Sequence, residues 1–233
     1  MAPVTVDDTP PGCELAVDGF LREPASAWSS LAFVIAGIVI VILGRRRRRA
    51  VETAPVPAEV VEPSSTTFAV LVAGIGVGSV VQHGPNPFWA DLAHDLPLLA
   101  TLVFIIADAV ADLTGRHRVW WWWALPTAAL APVIHYFPDQ GDMAQGAVSV
   151  VTVGISLYRG WYRPRIRRPV LVTLALLATG GLLEILSRDG PLCMPQSLWR
   201  GHAAWHIFVA AGLAALAEAL GWRRAAAPTL RAG

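Results

Sequence analysis

Gly201-His202-Ala203-Ala204-Trp205-His206 holds the side chains with the clearest capacity for chemistry. Residues four apart share one helix face, so His202 and His206 would present two imidazoles from one rigid element. A neutral imidazole is the commonest protein ligand for a transition metal. A pair alone is equally explained by interfacial histidines bonded to neighbouring helices. A third histidine ends another apolar stretch, Gly74-Ile75-Gly76-Val77-Gly78-Ser79-Val80-Val81-Gln82-His83. Ser79 and His83 also share a helix face, and the glycines would let that helix approach a neighbour closely. Three protein ligands and an open position form the pattern of a catalytic zinc site, where a bound water loses its proton near neutral pH.

Such a water needs a proton acceptor. Trp89-Ala90-Asp91-Leu92-Ala93-His94-Asp95-Leu96-Pro97 opens a third apolar stretch and supplies candidates. Ionisable groups inside a membrane span are expensive and therefore functional candidates. Asp95 is the expected general base; the plainer reading is a helix-start carboxylate favoured by the dipole. Asp91 and His94 are the alternatives for proton transfer. Glu184, Asp108 and Asp112 also lie in or near apolar stretches, the last two toward the opposite end, where arginines can pair with them.

The elements that must position these groups are membrane spans. The chain has 233 residues, 55% hydrophobic and 15% charged, with a mean hydropathy of +0.51. That excludes an ordinary soluble domain. The formal net charge of +1 gives no reason to expect nucleic acid or another acidic partner. Runs of apolar residues are each long enough for a hydrocarbon core of about 30 Å. They place spans at about Ala27–Gly44, Phe68–Gln82, Leu92–Leu113, Val119–Phe137, Met143–Tyr158, Val170–Leu186 and His202–Trp222. Ala50–Thr66 reads as a mobile Pro-, Glu- and Ser-containing linker, and Pro138–Asp142 as an acidic loop.

Arginines cluster at Arg45–Arg49, Arg116/Arg118, Arg159–Arg168 and Arg223/Arg224, after every second span. The positive-inside rule then predicts seven spans with the N-terminus outside and the C-terminus inside. The first 26 residues lack the basic n-region of a signal peptide. The expected organisation is an extracytoplasmic segment over 1–26, an all-α seven-span domain over 27–222 and a cytoplasmic tail over 223–233. His83, His202 and His206 fall at one depth near the outer face, and His117 and His135 lie away from them. Cys13 and Cys193 are also on the outer side, where disulfides persist; two unpaired thiols are the alternative.

With Ser-x-x-x-His closing span two, an acid opening span three and His-x-x-x-His in span seven, the chain resembles the CREST superfamily of seven-span putative metal-dependent hydrolases. It is most similar to the alkaline ceramidase family and its bacterial relatives. Cys13-Glu14, Arg22-Glu23-Pro24, Trp28-Ser29-Ser30 and Pro191-Leu192-Cys193 strengthen the likeness. The resemblance implies zinc on His83, His202 and His206, with Ser79 assisting at the metal and an Asp as general base. It also implies a Cys13–Cys193 disulfide. In ceramidases the N-terminal segment holds calcium, and Glu14 and Glu23 match two ligand positions. Pro11-Gly12 and a missing Asn depart from that calcium pattern. A gap-free count from His83 puts His94 at the family's Asp position, and a one-residue shift restores Asp95.

The expected function is therefore zinc-dependent hydrolysis of an N-acyl lipid such as ceramide, in a bacterial cell membrane near its outer face. One alternative is a non-enzymatic lipid sensor with structural zinc. The other is a proton-linked transporter using intramembrane His, Asp and Glu184.

Overall fold

The computed structural model describes residues 13–52, 59–61, 65–188, 191–193 and 200–224. Most of the expected tail over 223–233, the segment over 1–12, and positions 53–58 and 62–64 of the expected linker lie outside the described residues. Among the described residues the protein is an all-α bundle. Its long helices are α1 (Pro24–Glu52), α2 (Ser65–His83), α3 (Ala90–Thr114), α4 (Trp121–Tyr136), α5 (Pro138–Tyr162), α6 (Pro164–Arg188) and α7 (Gly201–Leu216). A 3-10 turn, Ala217–Ala219, follows α7. Within the linker, Glu59–Val61 pairs antiparallel with Trp222–Arg224.

Five of these helices are long and apolar enough to cross a membrane: α1, α2, α3, α6 and α7, the last counted with its 3-10 turn. The other two expected spans are helices that fall short of that standard. At 16 residues α4 is short, with Pro126 and Pro132 inside it. α5 has 25 residues but carries Asp139, Asp142, Gln145 and a series of Ser and Thr among its valines.

The connections differ from the expected loops for local reasons. Pro138–Asp142 is the first turn of α5 rather than a loop. Proline suits the first helical position because its missing N–H would be unsatisfied there, and Asp139 complements the positive helix end. α1 runs on past Gly44 through the five arginines, which are good helix formers. Pro164 likewise starts α6 only two residues after α5 ends.

The helices pack as a ring in the order α1, α2, α3, α5, α6, α7 and back to α1, with α4 outside against α3 and α5. Phe68 on α2 stacks on Phe104 of α3, and Ile40, Val72 and Ile75 fill the space beside them. Two glycines set the approach of helices at the histidine end. Pro97 has no N–H for the carbonyl of Ala93 one turn earlier, and that carbonyl faces Gly78, where a Cβ would overlap it. At the start of α7, a Cβ on Gly201 would overlap Ser187 and the Leu183 carbonyl of α6. The first contact brings Ala93 and His94 against α2; the second seats His202 beside the end of α6.

The opposite end is held by buried charge. Asp108 is wholly buried on α3. It accepts from Arg118 at 2.8 Å, from Arg159 of α5 at 2.9 Å and from the Gly221 N–H at 3.3 Å. Arg159 also donates to Asp112 at 2.8 Å, and Arg163 lies 3.4 Å from the same carboxylate.

Candidate metal centre

Two helices deliver the histidines to one point. His83 is the last residue of α2, His202 lies in the first turn of α7, and His206 sits one turn further on. The ring centroids are 4.5 Å apart for His202 and His206, 5.0 Å for His83 and His202, and 5.3 Å for His83 and His206. One nitrogen from each lies within 4.8 Å of the others.

Each imidazole is held from behind through Nδ1. For His83 the partner is Glu23 Oε2 at 2.6 Å, on a residue whose backbone N–H also donates to the His83 carbonyl at 2.8 Å. For His202 it is Glu184 Oε2 on α6, at 3.1 Å. For His206 it is Ser29 Oγ on α1, at 2.9 Å. Ser29 gives its own proton to the Ser26 carbonyl, so His206 Nδ1–H donates to Ser29. Carboxylates accept only, so His83 and His202 also carry the proton on Nδ1. His83 and His202 then face each other through Nε2, the orientation outer-shell bonds give at metal sites.

The donor set fits a metal. Nε2 of His83 and Nε2 of His202 are 3.2 Å apart. Two bare lone pairs at that distance repel, so a shared proton or a metal cation must lie against both. Zinc–nitrogen bonds of about 2.0–2.1 Å at a tetrahedral angle put ligand nitrogens ~3.3 Å apart, close to the observed spacing. Imidazole also suits copper, iron and nickel.

The remaining candidates are placed as follows. Ser79 is fully buried, and its hydroxyl meets Ser30 Oγ at 2.7 Å. Ser30 already donates to the Ser26 carbonyl at 2.6 Å, so Ser79 is the donor of that pair. Asp95 Oδ1 meets His94 Nδ1 at 2.7 Å, and His94 lies within electrostatic reach of His206. Asp91 accepts from Gln82 at 3.0 Å. Asp91, Asp95, Asp139 and Asp142 share this end of the bundle; burial first, then its acidic neighbours, raise the Asp142 carboxyl above the usual range.

Glu14 is buried and accepts from the Ala25 N–H, the Ser26 N–H and Ser26 Oγ at 2.7, 2.9 and 2.7 Å, closing the start of α1. Arg200 Nε is 3.9 Å from it. A disulfide joins Cys13 to Cys193 with a Cα separation of 5.5 Å, tying the approach to α1 to the approach to α7.

Sequence reasoning passed over the roles of Glu184, Glu23, Ser29 and Ser30. Glu184 did carry a signal, an acid inside an apolar stretch. His117 and His135 are outside the cluster, His135 stacking edge-on with Tyr136.

Beside the centre lies a cavity of about 310 Å3 enclosed by α3, α5, α6 and α7. Leu98, Leu102, Ile105, Val209 and Leu213 give it an apolar lining, and Trp205, between the two α7 histidines, forms part of its wall. Comparison of the sequence with protein-family models and with curated proteins finds no match.

Proposed function

We propose that the protein is a zinc-dependent membrane hydrolase of the alkaline ceramidase type, within the CREST superfamily, cleaving the amide bond of an N-acyl lipid. The observation that carries the reading is three histidines whose ring nitrogens converge on one point, each ring held through Nδ1, beside an apolar cavity bordered by Trp205. A lipid tail fits the cavity, and the amide then lies at the level of the histidines.

His83, His202 and His206 would hold the zinc. When bound there, zinc supplies Lewis acidity toward the amide carbonyl and a water nucleophile at neutral pH. Glu23, Glu184 and Ser29 keep the imidazoles in the ligating tautomer. Proton transfer falls to the His94–Asp95 pair. Asp95 holds His94 Nδ1, which leaves Nε2 to accept a proton and return it to the leaving nitrogen. The general-base role expected of Asp95 is thus exercised through His94. Ser79, packed under His206 through Ser30, supports α1 against α2 at the centre. Calcium stays outside this reading, because Glu14 is occupied by the start of α1 and Glu23 by His83.

The proposed topology has seven spans with the N-terminus outside. Its support is that Arg45–Arg49, Arg116, Arg118 and Arg163–Arg168 all stand at helix ends remote from the histidines. The centre then faces the outer leaflet.

The test is a panel of N-acyl lipids, ceramide included, incubated with purified protein. Release of fatty acid and free amine is read by mass spectrometry. Wild type should release both in equal amounts and His206→Ala neither. A metal-loaded protein that cleaves no member of the panel would favour a lipid sensor with structural zinc.

A further inference from the structure

At the end of the bundle remote from the histidines, a cavity of about 440 Å3 opens between α1, the start of α6 and the 3-10 turn after α7. Among the described residues, Arg46, Arg47 and Arg165 line it together with Glu218. Arg47 is fixed in the wall by donating to the Ala217 carbonyl at 3.3 Å. Arg165 lies in the first turn of α6, where the helix dipole adds to its charge. Arg45, Arg48, Arg49 and Arg168 are exposed on the same two helices but do not line the cavity.

The rest of the lining is apolar, from Ile40, Leu43 and Pro169. Guanidinium groups match phosphate oxygens in geometry and charge. A basic pocket between membrane-crossing helices, with an apolar wall, has the form of a headgroup site. A free anion would use the arginines and leave the apolar wall unused.

We propose that this cavity binds the phosphate of an anionic phospholipid, its acyl chains lying against the Ile40, Leu43 and Pro169 wall. The site is independent of the metal centre and of hydrolysis, so either can fail alone.

The experiment uses full-length protein in phosphatidylcholine nanodiscs doped with phosphatidylglycerol, with retained lipid read by native mass spectrometry. Zinc content and a monodisperse elution profile serve as folding controls. Phosphatidylglycerol should be retained over phosphatidylcholine. Arg46→Gln/Arg165→Gln should weaken retention by about fivefold for each arginine removed, roughly 30-fold together. Arg46→Lys/Arg165→Lys, which keeps the charge but loses the bidentate fork, should fall between them and wild type, and serves if the glutamine pair does not fold. Arg48→Gln/Arg168→Gln removes the same charge outside the cavity and should retain lipid as wild type does. Equal loss in the two glutamine pairs, or equal retention of the two lipids, would overturn the proposal. So would inorganic phosphate displacing the lipid at matched concentration, which would mark the site as one for a free anion.

Discussion

Replacing Glu23 by alanine removes the group that holds His83 from behind without touching a ligand. The Glu23 Oε2 to His83 Nδ1 bond is short, at 2.6 Å, and joins a carboxylate to an imidazole N–H. Its loss frees the ring to rotate and to exchange tautomers, and it takes a negative charge from beside a bound cation. Loss of such a partner typically costs about 10- to 100-fold in metal affinity, or roughly 1.4–2.7 kcal/mol at about 1.4 kcal/mol per tenfold. Glu23→Gln keeps an acceptor for Nδ1–H and loses only the charge, so it should sit near the lower figure. The Glu23 N–H to His83 carbonyl bond at 2.8 Å belongs to the backbone and survives both changes. The assay is zinc titration against a chromophoric chelator, with apo-protein melting as control. Affinity should fall in the order wild type, Gln, Ala, while apo-protein melting shifts little. Wild-type zinc affinity in Glu23→Ala would refute the reasoning that the outer partners set the site.

His94→Ala and Asp95→Asn should each keep zinc and lose about 10²–10⁴ in hydrolysis rate, while Asp91→Asn stays near wild type; a fully active His94→Ala would remove that residue from proton transfer. Asp108→Ala strands Arg118 and Arg159 in the interior and should cost about 3–5 kcal/mol of stability, read by unfolding in detergent. Cys13→Ser/Cys193→Ser opens a bridge spanning 180 residues. Chain entropy sets an upper figure of about 5 kcal/mol for its loss, and proteolysis before α1 should quicken in the variant.

The parts legible in the sequence were those fixed by local periodicity. His202 and His206 share a face because any helix puts residues four apart together, and His83 joins them because successive helices reverse direction. Gly78 and Gly201 could be read as close-packing residues, but not which backbone each would meet. The sequence left Glu184 without a partner because its distance of 18 residues from His202 crosses a helix reversal whose length and pitch the sequence does not fix. The same limit hid Ser29, on a helix at the other end of the chain. The loop expected at Pro138–Asp142 became helix because proline and aspartate also suit a helix start, and polarity alone does not separate the two. Glu23, a calcium ligand position in the family resemblance, has its carboxylate against His83, a contact that residue type alone does not fix.

The central claim is that the three histidines hold a zinc ion required for amide cleavage. Its most direct test is a zinc titration of chelator-stripped protein, following fatty-acid release from an N-acyl lipid. The account predicts no release from the stripped protein and recovery that saturates at one zinc per chain. Full release without metal, or none at one bound zinc per chain, would contradict it.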